Sequence, residues 1–237
     1  MSDARRARPI VAIDGPAGAG KSTVARRLAD TLGFVLVDTG AMYRAVALAA
    51  VRAGASWDDE EAVGELAQSL VLGHALGFER DADKGVRVRL HGDDVTDAIR
   101  APDVGMAAST VSAYAKVRAS LLDLQRQAGR AGGVVLEGRD IGTVVFPDAE
   151  VKFFLTARPE VRARRRFNEL AGRTRGDARI TFEQTLEDVR LRDEQDTTRA
   201  LAPLRQAADA ILLDNSDLSI EETVARMVDA TRDWSTR

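Results

Sequence analysis

A glycine-rich segment close to the start of the sequence has residue types that could bind a chain of phosphates. It fits the pattern G-x-x-x-x-G-K-[ST], follows a strand-like apolar run at 10–13 and opens a helix-like stretch at 21–32. Its spacing does not fit the G-x-G-x-x-G pattern of dinucleotide-binding loops. Glycines let backbone amides face phosphate oxygens, the lysine can bridge the outer phosphates, and Ser22 can bind magnesium. We therefore predict that a nucleoside triphosphate binds to Gly15, Pro16, Ala17, Gly18, Ala19, Gly20, Lys21, Ser22 and Thr23.

A second group of polar residues follows the apolar run at 34–37. Thr39 lies at a predicted helix start, and Arg44 lies about one helical turn further on. In a parallel sheet this position is at the carboxyl edge, where ligands of such folds bind. We expect an anion site here. A helix cap and a solvent-exposed arginine are the alternative for these residues taken alone.

Charged residues are also crowded directly after the apolar run at 133–136. Glu137, Arg139 and Asp140 lie within one short segment. An arginine can hold a phosphate with its bidentate fork, and a carboxylate can accept a hydrogen bond from an amine or from a magnesium-bound water. This crowding favours a binding site. A structural ion pair of Arg139 with Glu137 or Asp140 is the alternative.

The elements that must position these residues alternate between strands and helices. Such alternation predicts a doubly wound parallel α/β sheet, and continuous apolar runs are typical of strands buried on both faces. Capping boxes mark two helix starts, Thr181 with Gln184 and Ser219 with Glu222. The strand-like runs are 10–13, 34–37, 133–136, 151–155 and 210–213. The segments with helical spacing are about 21–32, 41–53, 103–129, 159–171, 181–198 and 219–233.

The stretch at 71–100 differs from the rest of the chain. Apolar and polar residues alternate at 86–90, and turn residues flank this run on both sides. Alternation with turn residues predicts an antiparallel hairpin, and hence a small insert on the parallel core.

Composition excludes several classes of protein. The sequence has no cysteine and 2 histidines, which excludes a disulfide framework, a thiol nucleophile and a cysteine zinc site. The net charge of −3 provides no general basic field for nucleic acid. The longest apolar run, 45–51, is far shorter than the roughly 20 residues that cross a bilayer, and the basic start lacks a signal-peptide core. We therefore expect a cytoplasmic protein that binds neither a membrane nor a nucleic-acid polymer.

Four motifs together resemble the bacterial cytidylate kinase family, over about residues 9–230. They are the glycine-rich loop at 15–22, DTGAMYR at 38–44, EGRDIGTVVFPD at 137–148 and RDxxDxxRAxAPL at 192–204. The resemblance implies transfer of the terminal phosphoryl group of ATP to CMP or dCMP with Mg²⁺. These small-molecule nucleotides are then the expected partners, and we expect a monomer.

The family fold implied by this resemblance is a single P-loop nucleoside monophosphate kinase domain over 1–237. It has a five-stranded parallel sheet flanked by helices, a small β-containing insert that binds the monophosphate, and an arginine-rich lid. The corresponding boundaries are about 9–65 and 115–230 for the core, 66–114 for the insert and 159–180 for the lid.

The resemblance also implies roles for individual residues. A carboxylate acceptor beside a guanidinium donor suits cytosine, whereas uracil reverses part of that donor pattern. Glu137 stands where many family members have Asp, which is a conservative difference. The implied acceptor-phosphate contacts are Arg44, Arg139 and Arg199, with the hydroxyl of Thr39 beside them. The implied cytosine contacts are Ser109, Arg118 and Asp140, and the residues near the pentose are Arg192 and Asp196. The residues expected to support catalysis are Lys21, Arg139, Arg199 and Arg165.

A run of arginines at 162–166, followed by Arg173 and Arg175, is expected to form the lid. Positive charge from a lid can neutralise the transferred phosphoryl group, and closure can exclude water. The family resemblance indicates Arg164, Arg165 and Arg166 as a group. A solvated helix face or an RNA-binding patch is the alternative, although only 5% of residues are aromatic and could stack on bases.

Other functions remain open at this stage. The nearest is a P-loop kinase for another acceptor, such as UMP, AMP or shikimate. A regulatory module that senses ATP without turnover and an arginine-rich RNA-binding protein belong to different classes. An assay of turnover separates both of these from a kinase.

Overall fold

The structure is a computed structural model that describes residues 6–81, 85–173 and 181–235. By packing, the described residues form two compact units. The first unit contains the chain up to Val35 and again from Gly132 onward, and the second contains Leu36–Ala131. Arg175 and the part of the expected lid at 174–180 lie outside the described residues.

The main sheet is parallel and has five strands within the described residues, in the order β2-β6-β1-β7-β8, which confirms the predicted sheet. Strand β1 pairs in parallel with β6 and β7, and β7 pairs in parallel with β8. Because Asp14 at the end of β1 lies opposite Gly138 at the end of β6, the segments after both strands leave the same edge of the sheet. The strands are β1 (Ile10–Asp14), β2 (Val35–Asp38), β3 (Leu76–Asp81), β4 (Gly85–Leu90), β5 (Asp93–Asp94), β6 (Val134–Gly138), β7 (Val151–Thr156) and β8 (Ile211–Asp214).

Strand β8 is an exception to the predicted burial on both faces. Ile211 and Leu212 are 47% and 57% exposed, whereas every residue of β1 is buried. Strand β1 has a neighbour on each side, but β8 is last in the strand order. An apolar run can thus also occur on an edge strand that is only partly covered.

The helices agree with the predicted segments except at two places. The segment predicted as one helix over 103–129 is divided into α4 and α5, because α4 ends at Val111 and Tyr114, directly before α5, has extended backbone. Helix α3 was not predicted, although Asp59 caps it by accepting a hydrogen bond from the Ala62 amide at 3.0 Å. The helices are α1 (Lys21–Leu32), α2 (Thr39–Arg52), α3 (Glu60–Leu72), α4 (Pro102–Val111), α5 (Ala115–Gly129), α6 (Pro159–Arg173), α7 (Phe182–Thr198) and α8 (Ile220–Ser235).

Both predicted capping boxes are formed, at the starts of α7 and α8. Thr181 and Gln184 exchange side-chain to backbone hydrogen bonds, and so do Ser219 and Glu222. A π-helical turn at Ile141–Val145 follows β6, and a 3₁₀ turn lies at Ala98–Arg100. None of the helices in the described residues is both long and apolar enough to span a bilayer.

In the first unit, α1 and α8 pack against each other, α1 also packs against β6, and α8 packs against β7. In the second unit, α2 packs against α3 and α4, and α3 packs against α5. Strands β3, β4 and β5 form an antiparallel sheet, which confirms the hairpin predicted within 71–100. The boundaries expected for the monophosphate-binding insert and the lid stay predictions.

Candidate active site

The glycine-rich loop connects β1 to α1 and depends on glycine for its shape. Gly15, Gly18 and Gly20 have positive φ angles of 154°, 76° and 86°. A Cβ atom at Gly15 would lie 2.0 Å from the carbonyl oxygen of Leu155 in β7, so a larger residue could not pass this close to the neighbouring strand. The strand, loop and helix have the arrangement that a phosphate-binding loop requires.

Lys21 is buried in the first turn of α1 and folds back onto the loop. Its Nζ donates hydrogen bonds to the carbonyl oxygens of Gly15 at 2.7 Å and Pro16 at 2.8 Å. Burial, and after it the nearby Arg139 cation, lowers the pKa of the Lys21 ammonium to about 7. A phosphate in the loop would favour the charged ammonium, because a nearby opposite charge raises the pKa of a cation.

Ser22 joins the loop to the end of β6. Its hydroxyl donates a hydrogen bond to Oε2 of the buried Glu137 at 2.9 Å. Hydroxyl and carboxylate oxygens are ligands that Mg²⁺ accepts, and Mg²⁺ is usually held by one or two such groups together with substrate phosphates. This pair of oxygen ligands therefore fits a magnesium ion at the phosphate-binding loop.

Asp14, the last residue of β1, is a buried carboxylate with no role predicted from the sequence. Its two carboxylate oxygens accept hydrogen bonds from the backbone amides of Ile141 at 2.8 Å and Gly142 at 2.7 Å. Burial raises the pKa of the Asp14 carboxyl to about 6. A carboxylate at the end of an apolar strand, directly before the glycine-rich loop, is the sequence signal that could have identified it.

Arg139 is held by a carboxylate on a distant helix. Its Nε donates to Oδ2 of Asp196 in α7 at 2.7 Å, so the ion pair forms with Asp196 rather than with Glu137 or Asp140. Arg139 is also close enough to Lys21 to lower its pKa. The segments that carry these two cations, which were expected to bind different phosphates, are also joined in the first unit by the 2.9 Å hydrogen bond from Ser22 to Glu137.

Two other residues that were predicted to contact CMP, Arg199 and Asp140, lie close together in the first unit. Nη2 of Arg199 is 3.7 Å from Oδ1 of Asp140, and both side chains are buried. The Arg199 Nε also donates to the carbonyl oxygen of Ala202 at 2.8 Å. The structure therefore brings an arginine and a carboxylate from two of the sequence motifs into one ion pair.

Arg192 belongs to a group of positive charges in the first unit. Burial, and after it the nearby Arg166, lowers the pKa of the Arg192 guanidinium, and Arg139 has the same effect. Asp188 and Asp196 act in the opposite direction. A buried arginine with other arginines near it is suited to binding an anion, which would relieve the repulsion between the cations.

The remaining predicted acceptor residues lie in the second unit. Thr39 is the buried first residue of α2, and Arg44 Nη1 in the same helix donates to the carbonyl oxygen of Ile99 at 3.2 Å. Arg118 Nη1 donates to the carbonyl oxygen of Ser112 at 3.1 Å, and the Ser112 hydroxyl donates to the Ser109 carbonyl. Ser112 therefore connects the two residues of this unit that were predicted to contact cytosine.

The arginines at the start of the expected lid have several different partners. Arg165 Nη1 donates to Oδ1 of Asn215 at 3.0 Å, and its Nη2 donates to the Asn215 carbonyl oxygen at 2.9 Å. Asn215, which no sequence pattern indicated, donates through Nδ2 to the Ala19 carbonyl oxygen at 3.0 Å. Arg165 thus supports the phosphate-binding loop from its backbone side in this structure, and contact with a transferred phosphoryl group stays a prediction.

The neighbours of Arg165 are engaged elsewhere. The Arg164 guanidinium lies 4.2 Å from the centre of the Phe182 ring, a cation–π contact between α6 and α7. Arg166 Nη1 donates to Oε2 of Glu169 at 3.0 Å along the same helix. Roles for Arg164 and Arg166 in phosphate binding likewise stay predictions.

A parallel sheet that carries a glycine-rich strand–loop–helix, with a lysine in the first turn of the helix, defines a P-loop protein of the class that binds nucleoside triphosphates. The cytidylate kinase family profile matches residues 11–233. The chain belongs to the cytidylate kinase family. It is therefore an enzyme, a kinase of the transferase class.

Individual relatives agree with this assignment. The chain is 52% identical to the cytidylate kinase of Geobacter sp. (strain M21) over 227 residues, which cover 96% of this chain and 94% of the relative. It is 46% identical to the cytidylate kinase of Neisseria meningitidis (strain MC58) over 224 residues, which cover 94% and 97%. A crystal structure of an uncharacterized protein from Eubacterium ventriosum is 11% identical with a TM-score of 0.50 and covers 97% of this chain and 100% of that chain. This last similarity concerns the fold alone.

Proposed function

We propose that the chain transfers the terminal phosphoryl group of ATP to CMP or dCMP, giving ADP and CDP or dCDP. The observation that carries the proposal is the 2.9 Å hydrogen bond from Ser22, next to Lys21 in the phosphate-binding loop, to Glu137, which opens the motif that contains Arg139 and is expected to bind the acceptor phosphate. Transfer between two phosphates requires both to be held near each other while their charge is neutralised. Family membership over residues 11–233 supports the same conclusion.

In this proposal the loop residues bind ATP and the arginines bind CMP. Amides of the loop and the Lys21 ammonium face the ATP phosphates, and Arg139 and Arg199 face the acceptor phosphate. A bound Mg²⁺, held by Ser22 together with Glu137, would neutralise phosphate charge. An oxygen of the CMP phosphate forms a bond to the terminal phosphorus of ATP, while the bond from that phosphorus to the ADP oxygen breaks. The acceptor phosphate, whose second pKa is about 6, is already mostly deprotonated at neutral pH, so a strong general base is unnecessary.

Recognition of cytosine is assigned to Ser109, Arg118 and Asp140. Cytosine has an amino donor beside a ring-nitrogen acceptor and a carbonyl acceptor, so it suits a carboxylate together with a guanidinium. Uracil has a carbonyl in place of the amino group and would face the Asp140 carboxylate with an acceptor. Thr39 and Arg44 are assigned to the acceptor phosphate, and Arg192 and Asp196 to the pentose.

An assay of ATP consumption with each acceptor tests the proposal. CMP, dCMP, UMP, AMP and shikimate are compared at equal concentrations in the presence of Mg²⁺, and CMP and dCMP are expected to be preferred. Asp140→Asn is expected to reduce the preference for CMP over UMP by about 1 to 3 kcal/mol. The substitution spoils the buried hydrogen bond that the carboxylate would accept from the cytosine amino group. A wild-type preference for UMP would overturn the substrate assignment, and unchanged selectivity in the variant would overturn the role of Asp140. A monomeric state and a cytoplasmic location stay predictions.

A further inference from the structure

We propose that Arg162 and Asp193 form a positioning pair that couples the phosphate-binding loop to helix α7, so that a nucleoside triphosphate and CMP strengthen each other's binding. This inference rests on the proposed function for its two ligands. Neither residue was assigned a role of this kind by the sequence, where Arg162 belonged to a run of arginines expected in the lid.

Arg162 is a buried arginine in α6 whose guanidinium connects three segments of the first unit. Nη1 and Nη2 donate to the two carboxylate oxygens of Asp193 in α7 at 2.8 Å and 2.5 Å. Nη1 also donates to the carbonyl oxygen of Ala17 at 3.1 Å, and Nε donates to the carbonyl oxygen of Ala157 at 2.8 Å. A bidentate, charge-assisted pair fixes orientation as well as distance. Arg162 is therefore suited to hold these segments in register.

The bond to Ala17 bears on the direction of an amide in the loop. A trans peptide unit is planar, so its N–H points opposite to its carbonyl. When Arg162 holds the Ala17 carbonyl on the protein side, the N–H of Gly18 is turned to the other side, as a phosphate-binding loop requires. A Cβ atom at Gly18 would lie 3.1 Å from the Arg162 Cβ, so the loop and α6 are in close contact at this point.

The bond to Asp193 helps to position the residues of α7 that are assigned to CMP, Arg192 and Asp196. Asp193 is next to Arg192 and lies three positions before Asp196, so Asp193 and Asp196 share a side of the helix. Asp196 in turn holds Arg139 through the 2.7 Å hydrogen bond. A continuous series of contacts thus leads from the Ala17 carbonyl through Arg162, Asp193 and α7 to Arg139.

Coupling between two ligands requires each to favour the same arrangement of the elements between them. Phosphates that bind the loop amides fix the Ala17–Gly18 peptide, which favours the bonded position of Arg162. In that position Arg162 holds Asp193, and with it the position of α7 relative to α6. Acceptor residues that are already in place cost CMP less ordering on binding, and the same coupling must operate in the reverse direction.

The test measures the dissociation constant of CMP by calorimetry, with and without a saturating non-hydrolysable ATP analogue and Mg²⁺. For wild type the analogue is expected to tighten CMP binding, within the 5- to 150-fold range typical of about 1 to 3 kcal/mol of coupling. Asp193→Asn keeps the size of the side chain but removes the charge, and the tightening is expected to fall to about twofold or less. Arg162→Lys keeps the charge but loses the bidentate fork, and serves in the same way if Asp193→Asn does not fold.

Asp217→Asn is the matched control. Asp217 receives two hydrogen bonds from Arg158 at 2.8 Å and 2.6 Å, but both side chains are exposed and are not among the contacts that lead to the loop. This variant should show the wild-type tightening. A wild type without tightening would overturn the proposal, as would a folded Asp193→Asn or Arg162→Lys that keeps the full tightening while its midpoint of thermal unfolding falls. Absence of CMP binding by the wild type would instead contradict the proposed function.

Discussion

The carboxylate of Asp14 accepts a hydrogen bond from the backbone amide of Gly142 at 2.7 Å. Asp14 ends the strand that leads into the phosphate-binding loop, and Gly142 lies in the turn that follows Arg139 and Asp140. A Cβ atom at Gly142 would lie 3.1 Å from Lys152 Cδ and 3.4 Å from the Asp14 carboxylate, so the turn is closely packed. The buried carboxylate therefore ties the glycine-rich loop to the segment that is predicted to bind the acceptor phosphate, through backbone amides of the first unit.

We expect Asp14 to make the stability of the protein decrease as pH rises. The pKa of its carboxyl is about 6 in the folded chain against an ordinary value of 3.8. As pH rises above 3.8, the unfolded chain loses the Asp14 proton before the folded chain does. The contribution of this proton to the free energy of unfolding is therefore complete below about pH 4 and is lost as pH rises through about 6. Between pH 4 and pH 7.5, the free energy of unfolding of wild type relative to Asp14→Asn should fall by up to roughly 3 kcal/mol.

Urea unfolding of both proteins at several pH values measures this difference. Asn at position 14 retains one acceptor oxygen but places an N–H donor opposite the second backbone amide. This change lowers the free energy of unfolding by an amount that does not depend on pH. Parallel stability curves for the two proteins would show that the Asp14 carboxyl does not titrate in this range.

Gly15→Ala is expected to destabilise the chain severely. Its Cβ atom would meet the Leu155 carbonyl oxygen of a central strand at 2.0 Å, and backbone on both sides must move to relieve the clash. We expect a loss of at least about 3 kcal/mol in the free energy of unfolding, together with loss of ATP binding. Gly54→Ala is the control, because Gly54 also has a positive φ angle, 70°, but has open space around its Cβ position. The control should lose only about 1 to 2 kcal/mol, and equal losses would contradict a role for the close approach to β7.

The sequence predicted those parts of the fold that are defined by local pattern. The run at 10–13 and the glycine-rich segment after it predicted β1, the loop and α1. The apolar run, the positions of the glycines and the lysine that follows them all indicate the same strand–loop–helix. The break between α4 and α5 was not predicted, because the apolar spacing favours one continuous helix and no glycine or proline at 112–114 signals the extended backbone of Tyr114. The exposure of β8 depends on its place at the end of the sheet, and a position in a sheet is not a property of one strand.

Parts of the site that depend on pairing between distant residues could not be predicted in this way. The types and positions of Arg139 and Asp196 were recognised, but their hydrogen bond joins residues 57 positions apart. Likewise Arg162 is one of several similar arginines in the sequence, and only packing distinguishes it as the one that holds Asp193. Residue type indicates which charges a site contains, whereas the fold decides which of them neutralise each other.

Asp196→Asn is expected to weaken the use of CMP. The variant loses the carboxylate that orients Arg139 at 2.7 Å, and a hydrogen bond to a charged group is worth about 1.5 to 3 kcal/mol. We expect kcat/KM for CMP to fall about 10- to 100-fold, with little change in the affinity for an ATP analogue. Glu187→Gln, an exposed carboxylate on the same helix, should behave like wild type. A loss of ATP-analogue affinity as large as the loss for CMP would contradict a role on the acceptor side.

Glu137→Gln is expected to raise the concentration of Mg²⁺ that gives half-maximal activity. The substitution keeps an acceptor for the Ser22 hydroxyl, which donates to Glu137 at 2.9 Å, but removes the negative charge beside it. A neutral amide binds Mg²⁺ less well than a carboxylate, and loss of a group that supports a metal ligand costs about 10- to 100-fold in affinity or activity. Titration of activity with Mg²⁺ at saturating ATP and CMP measures the change, and Glu169→Gln in α6 serves as an acidic control. If Glu137→Gln has the wild-type Mg²⁺ dependence but a lower kcat, the carboxylate acts on the nucleotides or on Ser22 rather than through the metal.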